Sequence, residues 1–214
     1  MIKEKPIDPD KEKLLRDVTQ LFMAYGVKRM TMDEIAGQLH ISKKTLYRHV
    51  KDKADLVLQC VRLECGYEEG QIRAITEKGL NAVDENIEIS RFVLGQIEQV
   101  HPAVFSELES YYPEAWHELQ ESRQGFTGEV IFKNISKGIE EGYFRADTHV
   151  EIAVRLWIAR INAIFDPRLF PMREFAMSEI YRQMFNQQIR GIATEKGLKY
   201  FEERIQPKLN ASEK

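Results

Sequence analysis

Two helix starts, Thr31 and Ser42, stand so close in the sequence that the chain between them has room for one short helix and a tight turn. Thr31-Met-Asp-Glu34 is a capping-box pattern: the Thr31 hydroxyl can accept from one orphan amide while the Glu34 carboxylate reaches back to another. Ile35, Ala36 and Leu39 give the helix that follows a small apolar face, and the chain must turn within His40-Ile41 before Ser42 caps the next helix. Within Ser42–Lys53, Leu46 and Val50 lie four apart and share one helical face, which Ile41 extends. The opposite face carries Lys44, Thr45, Tyr47 and Arg48, flanked by Lys43 and His49, and each of these side chains can donate a hydrogen bond or carry positive charge. Such a surface suits phosphates and base edges rather than burial, and two short helices around a tight turn read as a helix-turn-helix.

The remainder of the chain predicts an all-α protein of two unequal parts. Its 214 residues are 43% hydrophobic and 30% charged, with only 12 Gly and 7 Pro, which fits a soluble, mostly helical chain long enough to bury a real core. The net charge of -3 hides an asymmetry: residues 1–55 hold 12 Lys/Arg against 9 Asp/Glu, and the rest holds 19 against 25. That split describes a basic reading head on an acidic body. Cys60 and Cys65 are five residues apart, which turns them to different faces of a helix, so neither a disulfide nor a metal pair is expected and a reducing, cytoplasmic compartment follows. No apolar run approaches the roughly 18 residues of a membrane span, and the first twenty residues are charged rather than a signal peptide.

In chain order, residues 1–9, with Pro6 and Pro9 among charges, predict a mobile arm. Leu14, Leu15, Val18, Leu21 and Phe22 recur at helical spacing from Asp10 to Tyr25, and Gly26 supplies a stop. Asp52-Lys-Ala-Asp55 starts a fourth helix, with Leu56, Val57, Val61 and Leu63 apolar, that links head to body. Further helices are predicted at about 71–80, 85–100, 102–111, 114–141, 148–165 and 175–193, with Pro102 and Pro113 in first turns, Gly142 as a stop, Asp166–Pro171 as a loop and fraying over Lys208–Lys214. Ile152, Ala153, Leu156, Trp157, Ala159, Ile161 and Ile164 form an apolar surface broader than one core-facing stripe requires. Ile180, Met184, Phe185, Ile189 and Ile192 do likewise on the next helix.

Taken together, Thr31-Met-Asp-Glu-Ile-Ala, Leu39-His-Ile-Ser-Lys-Lys-Thr-Leu-Tyr-Arg-His-Val50 and Lys51-Asp-Lys-Ala-Asp-Leu56 make residues 10–56 resemble the DNA-binding domain of the TetR/AcrR family of one-component bacterial transcription regulators. The resemblance covers about a quarter of the chain at motif strength and the rest in helical layout only. Two positions depart from it. His40 stands where the family's turn usually has Gly, a position that needs positive φ, and Val50 stands where Phe is commoner.

The resemblance implies a helix-turn-helix DNA-binding domain over 1–56 and a helical effector-binding and dimerisation domain over 57–214. It implies a homodimer joined by a four-helix interface from the last two helices of each subunit, binding a near-palindromic operator as a repressor and released by a small-molecule effector, with activation left open. The fourth helix would transmit effector-driven shifts to the head. Lys43, Lys44 and Thr45 would reach base edges; Tyr47, His49 and Lys53 would clamp phosphates with help from Thr31; Arg48 could do either. Phe92, Phe105, Trp116, Phe126 and Trp157, from an aromatic set that also includes Tyr111, Tyr112 and Phe132, would line the effector pocket, with Arg123 and Asn134 as polar anchors. Core packing is the competing account of that set.

Other chemistry is poorly supported. Glu114-Ala-Trp-His117 has the Glu-x-x-His spacing of a di-iron bundle, but a second copy is absent, so no metal or cofactor is expected. His101 and His149 sit beside a Pro and at a helix start. No nucleophile elbow or Gly-rich phosphate loop appears, and the chain is not expected to be an enzyme. Cys60 and Cys65 could sense oxidation or simply pack as small core residues. The alternative to the regulator is a helical bundle that binds a ligand or partner without productive DNA binding.

Overall fold

The computed structural model describes residues 8–171 and 173–205. Residues 1–7 of the expected arm and the fraying expected over Lys208–Lys214 lie outside the described residues. Among the described residues eleven α-helices follow in chain order: α1 (Pro9–Tyr25), α2 (Met32–Gln38), α3 (Lys43–Tyr47), α4 (Lys53–Thr76), α5 (Ala82–Ile97), α6 (Val104–Tyr111), α7 (Pro113–Ser122), α8 (Gly128–Glu140), α9 (Val150–Ile164), α10 (Met177–Ile192) and α11 (Glu195–Ile205). A π-helical turn, Arg123–Thr127, joins α7 to α8.

Packing divides the chain into two compact units. The first takes the described residues up to Glu68 together with Gln99–Ser122; the second takes Glu69–Glu98 and the described residues from Arg123 onward. By this measure the first unit extends well beyond residue 56. The reason is in its core, where Leu15, Val18 and Phe22 of α1, Ile35 of α2 and Leu46 of α3 pack with Leu56, Val57 and Cys60 of α4, Val104 and Leu108 of α6, and Ala115 of α7. Trp116, Tyr112 and Leu119 lean against the same cluster. Cys60 is 3% exposed and its thiol lies 3.7 Å from the Leu15 carbonyl, and burial pushes that thiol up to about 12. Cys60 is therefore a core residue whose thiolate is suppressed at neutral pH. Cys65 is also buried.

In the second unit α8 packs on α5 and α9, α10 on α5 and α9, and α11 on α5. The extended segment after α8 meets the one after α10 in an antiparallel bridge, Phe144 to Ala193, closed by Arg145 N–H to the Ile192 carbonyl at 2.8 Å and Thr194 N–H to the Tyr143 carbonyl at 2.9 Å. That bridge delivers the chain to α11, whose Phe201 is fully buried and meets Phe185 of α10 edge-on at 5.9 Å.

Several element boundaries differ from the sequence expectation, each for a local reason. Asp8 accepts from Asp10 N–H and Pro9 occupies the first helical position, where its missing N–H goes unmissed, so α1 begins inside the expected arm. The helix expected at 71–80 is the end of α4, which runs through Gly66 and Gly70; the break falls at Gly79, with φ 67°. Asn81, not recognised as a cap, accepts from Val83 and Asp84 N–H and starts α5 early. Pro102 precedes α6 rather than lying in its first turn, whereas Pro113 does open α7. The single helix expected at 114–141 is divided into α7, the π turn and α8. Helix α11 was not expected; Thr194, whose Oγ1 accepts from Gly197 N–H at 3.0 Å, is its inconspicuous start.

The two apolar stripes meet different fates. On α10, Met184, Phe185, Ile189 and Ile192 are all buried within their own unit. On α9, Ala153, Trp157 and Ile164 are buried, but Ile152 and Leu156 are each 53% exposed. Of these two helices, only α9 keeps large apolar side chains mostly exposed among the described residues. Among the described residues no helix is long and apolar enough to cross a membrane.

Candidate nucleic-acid interface

The turn between α2 and α3 forms as the capping chemistry dictates. Thr31 Oγ1 accepts from Glu34 N–H at 3.2 Å and Glu34 Oε2 accepts from Thr31 N–H at 2.7 Å. The Thr31 N–H holds the Glu34 carboxyl below the usual carboxylate range. Ser42 caps α3, its Oγ accepting from Thr45 N–H at 3.0 Å. Asp52 Oδ1 accepts from Asp55 N–H at 2.9 Å and Asp55 Oδ2 accepts from Lys51 N–H at 2.8 Å, which starts α4. Burial pushes the Asp55 carboxyl up, but the Lys51 N–H and the Gln59 amide outweigh it and hold it below its usual range. Two closely spaced caps confine α3 to Lys43–Tyr47, shorter than the Ser42–Lys53 stretch suggested.

His40 takes φ 54° in the turn, the only positive φ outside glycine among the described residues. The left-handed region costs a non-Gly residue roughly 1–2 kcal/mol. Gly at this position relieves that strain but loses more entropy on folding, roughly 0.5–1 kcal/mol; a β-branched residue has neither relief. Melting temperatures are therefore expected in the order His40→Gly at or just above the native protein, and His40→Val below it by the equivalent of about 1–2 kcal/mol. A His40→Val protein melting with or above the native one would show that the turn is not strained.

Leu46 and Val50 turn inward as their spacing requires, at 0% and 4% exposure. Lys43, Lys44, Tyr47 and Arg48 are exposed, while Thr45, His49 and Lys53 are half-buried. Several of these groups are already engaged. Lys43 Nζ donates to Asp33 Oδ2 at 2.9 Å, Thr45 Oγ1 and Ser42 Oγ share a 2.8 Å hydrogen bond, and Lys53 Nζ donates to the Lys28 carbonyl at 3.2 Å while lying 5.6 Å above the Tyr112 ring. Lys44 and Arg48 carry no ion pair among the described residues. Thr31 uses its hydroxyl oxygen as the α2 cap.

Sequence reading missed the residues that hold this turn in place. Glu107 of α6 accepts through Oε2 from Val27 N–H at 2.7 Å and Lys28 N–H at 2.8 Å, so one carboxylate binds the segment that leads into α2. Lys28 Nζ donates to the Tyr111 hydroxyl at 2.7 Å, which holds its ammonium above the usual lysine range. His101 N–H donates to the Met23 carbonyl at 2.6 Å. Nothing local in the sequence signals these pairings, which join residues about eighty positions apart.

The expected effector residues are divided between the units. Phe105 and Trp116 belong to the first, and Trp116 packs on its core. Phe92, Arg123, Phe126, Asn134 and Trp157 belong to the second. There Arg123, at the start of the π turn, donates to Asn162 Oδ1 at 2.9 Å and lies 4.8 Å from the Phe165 ring, and Arg73 lies 4.6 Å from the Phe126 ring. Trp157 is buried, and Asn134 is 2% exposed with both ends of its amide bonded to α5. A surface groove of ≈ 580 Å³ lined by Tyr143, Glu195, Lys196, Lys199, Tyr200 and Glu203 contains none of them. His117 pairs with Glu121 at 3.2 Å, not with Glu114, and among the described residues no cluster of three or more His, Cys, Asp or Glu could hold a metal.

A capped helix-turn-helix with an outward cationic and phenolic face, carried by an all-helical chain, defines a DNA-binding regulator of the helix-turn-helix class. Residues 14–60 match the family described as bacterial regulatory proteins, tetR family. Over those residues the chain carries a DNA-binding domain of the tetR type. Its fold is similar to that of a putative transcriptional regulator from Saccharomonospora viridis in complex with choline (16% identity, 87% of this chain and 98% of that one, TM-score 0.71). It is also similar to a TetR-family regulator from Agrobacterium tumefaciens (13% identity, 86% and 98%, TM-score 0.69). The regulator FadR from Bacillus subtilis in complex with stearoyl-CoA gives 13% identity, 84% and 98%, and TM-score 0.65. No curated protein matches the sequence.

Proposed function

We propose that the protein is a one-component repressor that binds a near-palindromic operator in the cytoplasm as a homodimer and leaves it when a small molecule binds. The observation that carries this reading is the outward face of α3, where Lys43, Lys44, Tyr47 and Arg48 stand exposed beside a doubly capped turn. Lys44 and Thr45 contact base edges, Tyr47, His49 and Lys53 clamp phosphates with Thr31, and Arg48 serves either role. The first unit supplies the reading head. The second supplies dimerisation through the outward face of α9, where Ile152 and Leu156 would be covered by a second copy. A two-fold dimer then sets its recognition helices about 34–36 Å apart, one turn of duplex.

An effector in the helical body is supported by the choline and stearoyl-CoA complexes of the similar folds. Those ligands differ so widely that they do not name one for this chain. Half-buried Phe92, Arg123 and Phe126 are the expected side chains of the second unit best able to meet it. Release follows when the effector binds more tightly to the geometry that cannot span both half-sites.

The test is a titration of the purified protein against the DNA upstream of its own gene, in increasing salt, beside Tyr47→Ala and Lys44→Ala. A specific complex is expected, weakening with a log-log slope of about -0.9 per neutralised phosphate. Lys44→Ala should cost about 1–3 kcal/mol and relax one position of the site; Tyr47→Ala should weaken binding to all sequences. Equal, weak binding by all three proteins to this DNA and to a randomised library would overturn the reading in favour of a bundle without productive DNA binding.

A further inference from the structure

A DNA-facing surface has little use for a negative charge, yet Asp33 stands on one. It is the second residue of α2, its side chain is 72% exposed, and its Oδ2 accepts a 2.9 Å hydrogen bond from Nζ of Lys43, the first residue of α3. As a stabilising contact the pair counts for little, because exposed ion pairs are screened and entropically costly. As a phosphate contact it is counterproductive: the carboxylate repels the backbone and offsets a lysine that would otherwise release a counterion.

We infer that Asp33 and Lys43 together read a G·C base pair in each operator half-site. The inference rests on the regulator reading above and adds a specificity-determining residue to it. The major-groove edge of a G·C pair offers guanine N7 and O6 as acceptors, then the cytosine N4 amino group as a donor. An ammonium beside a carboxylate offers donors, then an acceptor, in the complementary order. Lys43 Nζ has three N–H donors and spends one on Asp33, leaving two for guanine; Asp33 accepts from cytosine through its carboxylate. An A·T pair sets the adenine N6 amino group between two acceptors, which confronts the ammonium with a donor. Asp33 also draws Lys43 off the phosphates, so its charge serves base recognition rather than unspecific attraction.

The experiment is selection from a randomised duplex library with the full-length protein, Asp33→Ala and Lys43→Ala, each checked by thermal melting. The native protein should enrich a two-fold-symmetric site in which one pair per half-site is G·C, preferred about tenfold or more over A·T. Asp33→Ala should lose the preference at that position alone, keep the others, and bind random-sequence DNA more tightly because a negative charge is gone; Lys43→Ala should lose the same position. An Asp33→Ala protein that enriches the same bases at every position overturns the inference while leaving the regulator intact. Uniform weakening on all sequences overturns it too, since that is the signature of a residue that only supports the fold. If the native protein enriches nothing, both this inference and the regulator reading fall.

Discussion

Replacing Gly138 by alanine is expected to lower the melting temperature of the second unit by roughly 6–12 °C. Gly138 lies in the last turn of α8 with the ring of Phe144 folded directly over its Cα; an added methyl would overlap the ring edge and come within 2.8 Å of Phe144 Cγ. Phe144 is 1% exposed and sits in the bridge to Ala193, so its ring cannot swing into solvent to make room. Overpacking of this kind costs about 3 kcal/mol, and a chain of this size loses about 2–4 °C per kcal/mol. Gly197 presents the same conflict against backbone: a methyl there overlaps the Tyr143 carbonyl oxygen and lies 2.8 Å from its carbon. Gly197→Ala should therefore displace α11 rather than a side chain, and chemical denaturation would read both losses. A melting temperature for Gly138→Ala within 2 °C of the native value, about one kcal/mol or less, would mean that the ring has an alternative seat.

These two glycines also mark the limit of what the sequence disclosed. The head was legible because its information is local. Thr31 with Glu34, Ser42, and Leu46 with Val50 each act within one helical turn, and the structure forms every one of those contacts or burials. Even the strained turn at His40 could be anticipated from a single residue. What stayed hidden was long-range. The grip of Glu107 on Val27 and Lys28, the seat of Phe144 over Gly138, and the docking of α11 on α5 depend on partners remote in sequence. Helix α11 went unseen because Thr194 and Gly197 look like a loop until the bridge before it is known. The stripe on α10 was misassigned for a related reason: periodicity shows that a face is apolar but not whether its partner is its own core or another subunit, and here Met184, Phe185 and Ile189 serve the core.

Asn134 was expected as a ligand anchor and instead sits in a buried polar network between α5 and α8, whose disruption is the other large effect to expect. Glu85, 5% exposed, accepts through Oε1 from Asn134 Nδ2 at 2.7 Å and through Oε2 from Lys137 Nζ at 3.1 Å. Lys137 also donates to the Leu80 carbonyl and Asn134 Nδ2 to the Ala82 carbonyl at 3.0 Å, while Asn134 Oδ1 accepts from the Asn86 amide. Lys137→Met preserves the aliphatic stem but leaves the Glu85 carboxylate with one neutral donor in a site closed to water. Breaking one side of a buried pair costs about 3–5 kcal/mol, and because the lysine side chain is 33% exposed the lower end is expected. Adding Glu85→Gln should recover about 1–2 kcal/mol, since a carboxamide keeps the bond from Asn134 and no longer carries a charge. The readout is a double-mutant cycle of denaturant midpoints at neutral pH. If the double variant is as unstable as the sum of its parts, the carboxylate and the ammonium are not coupled, and the network stabilises the α5–α8 contact through Asn134 alone.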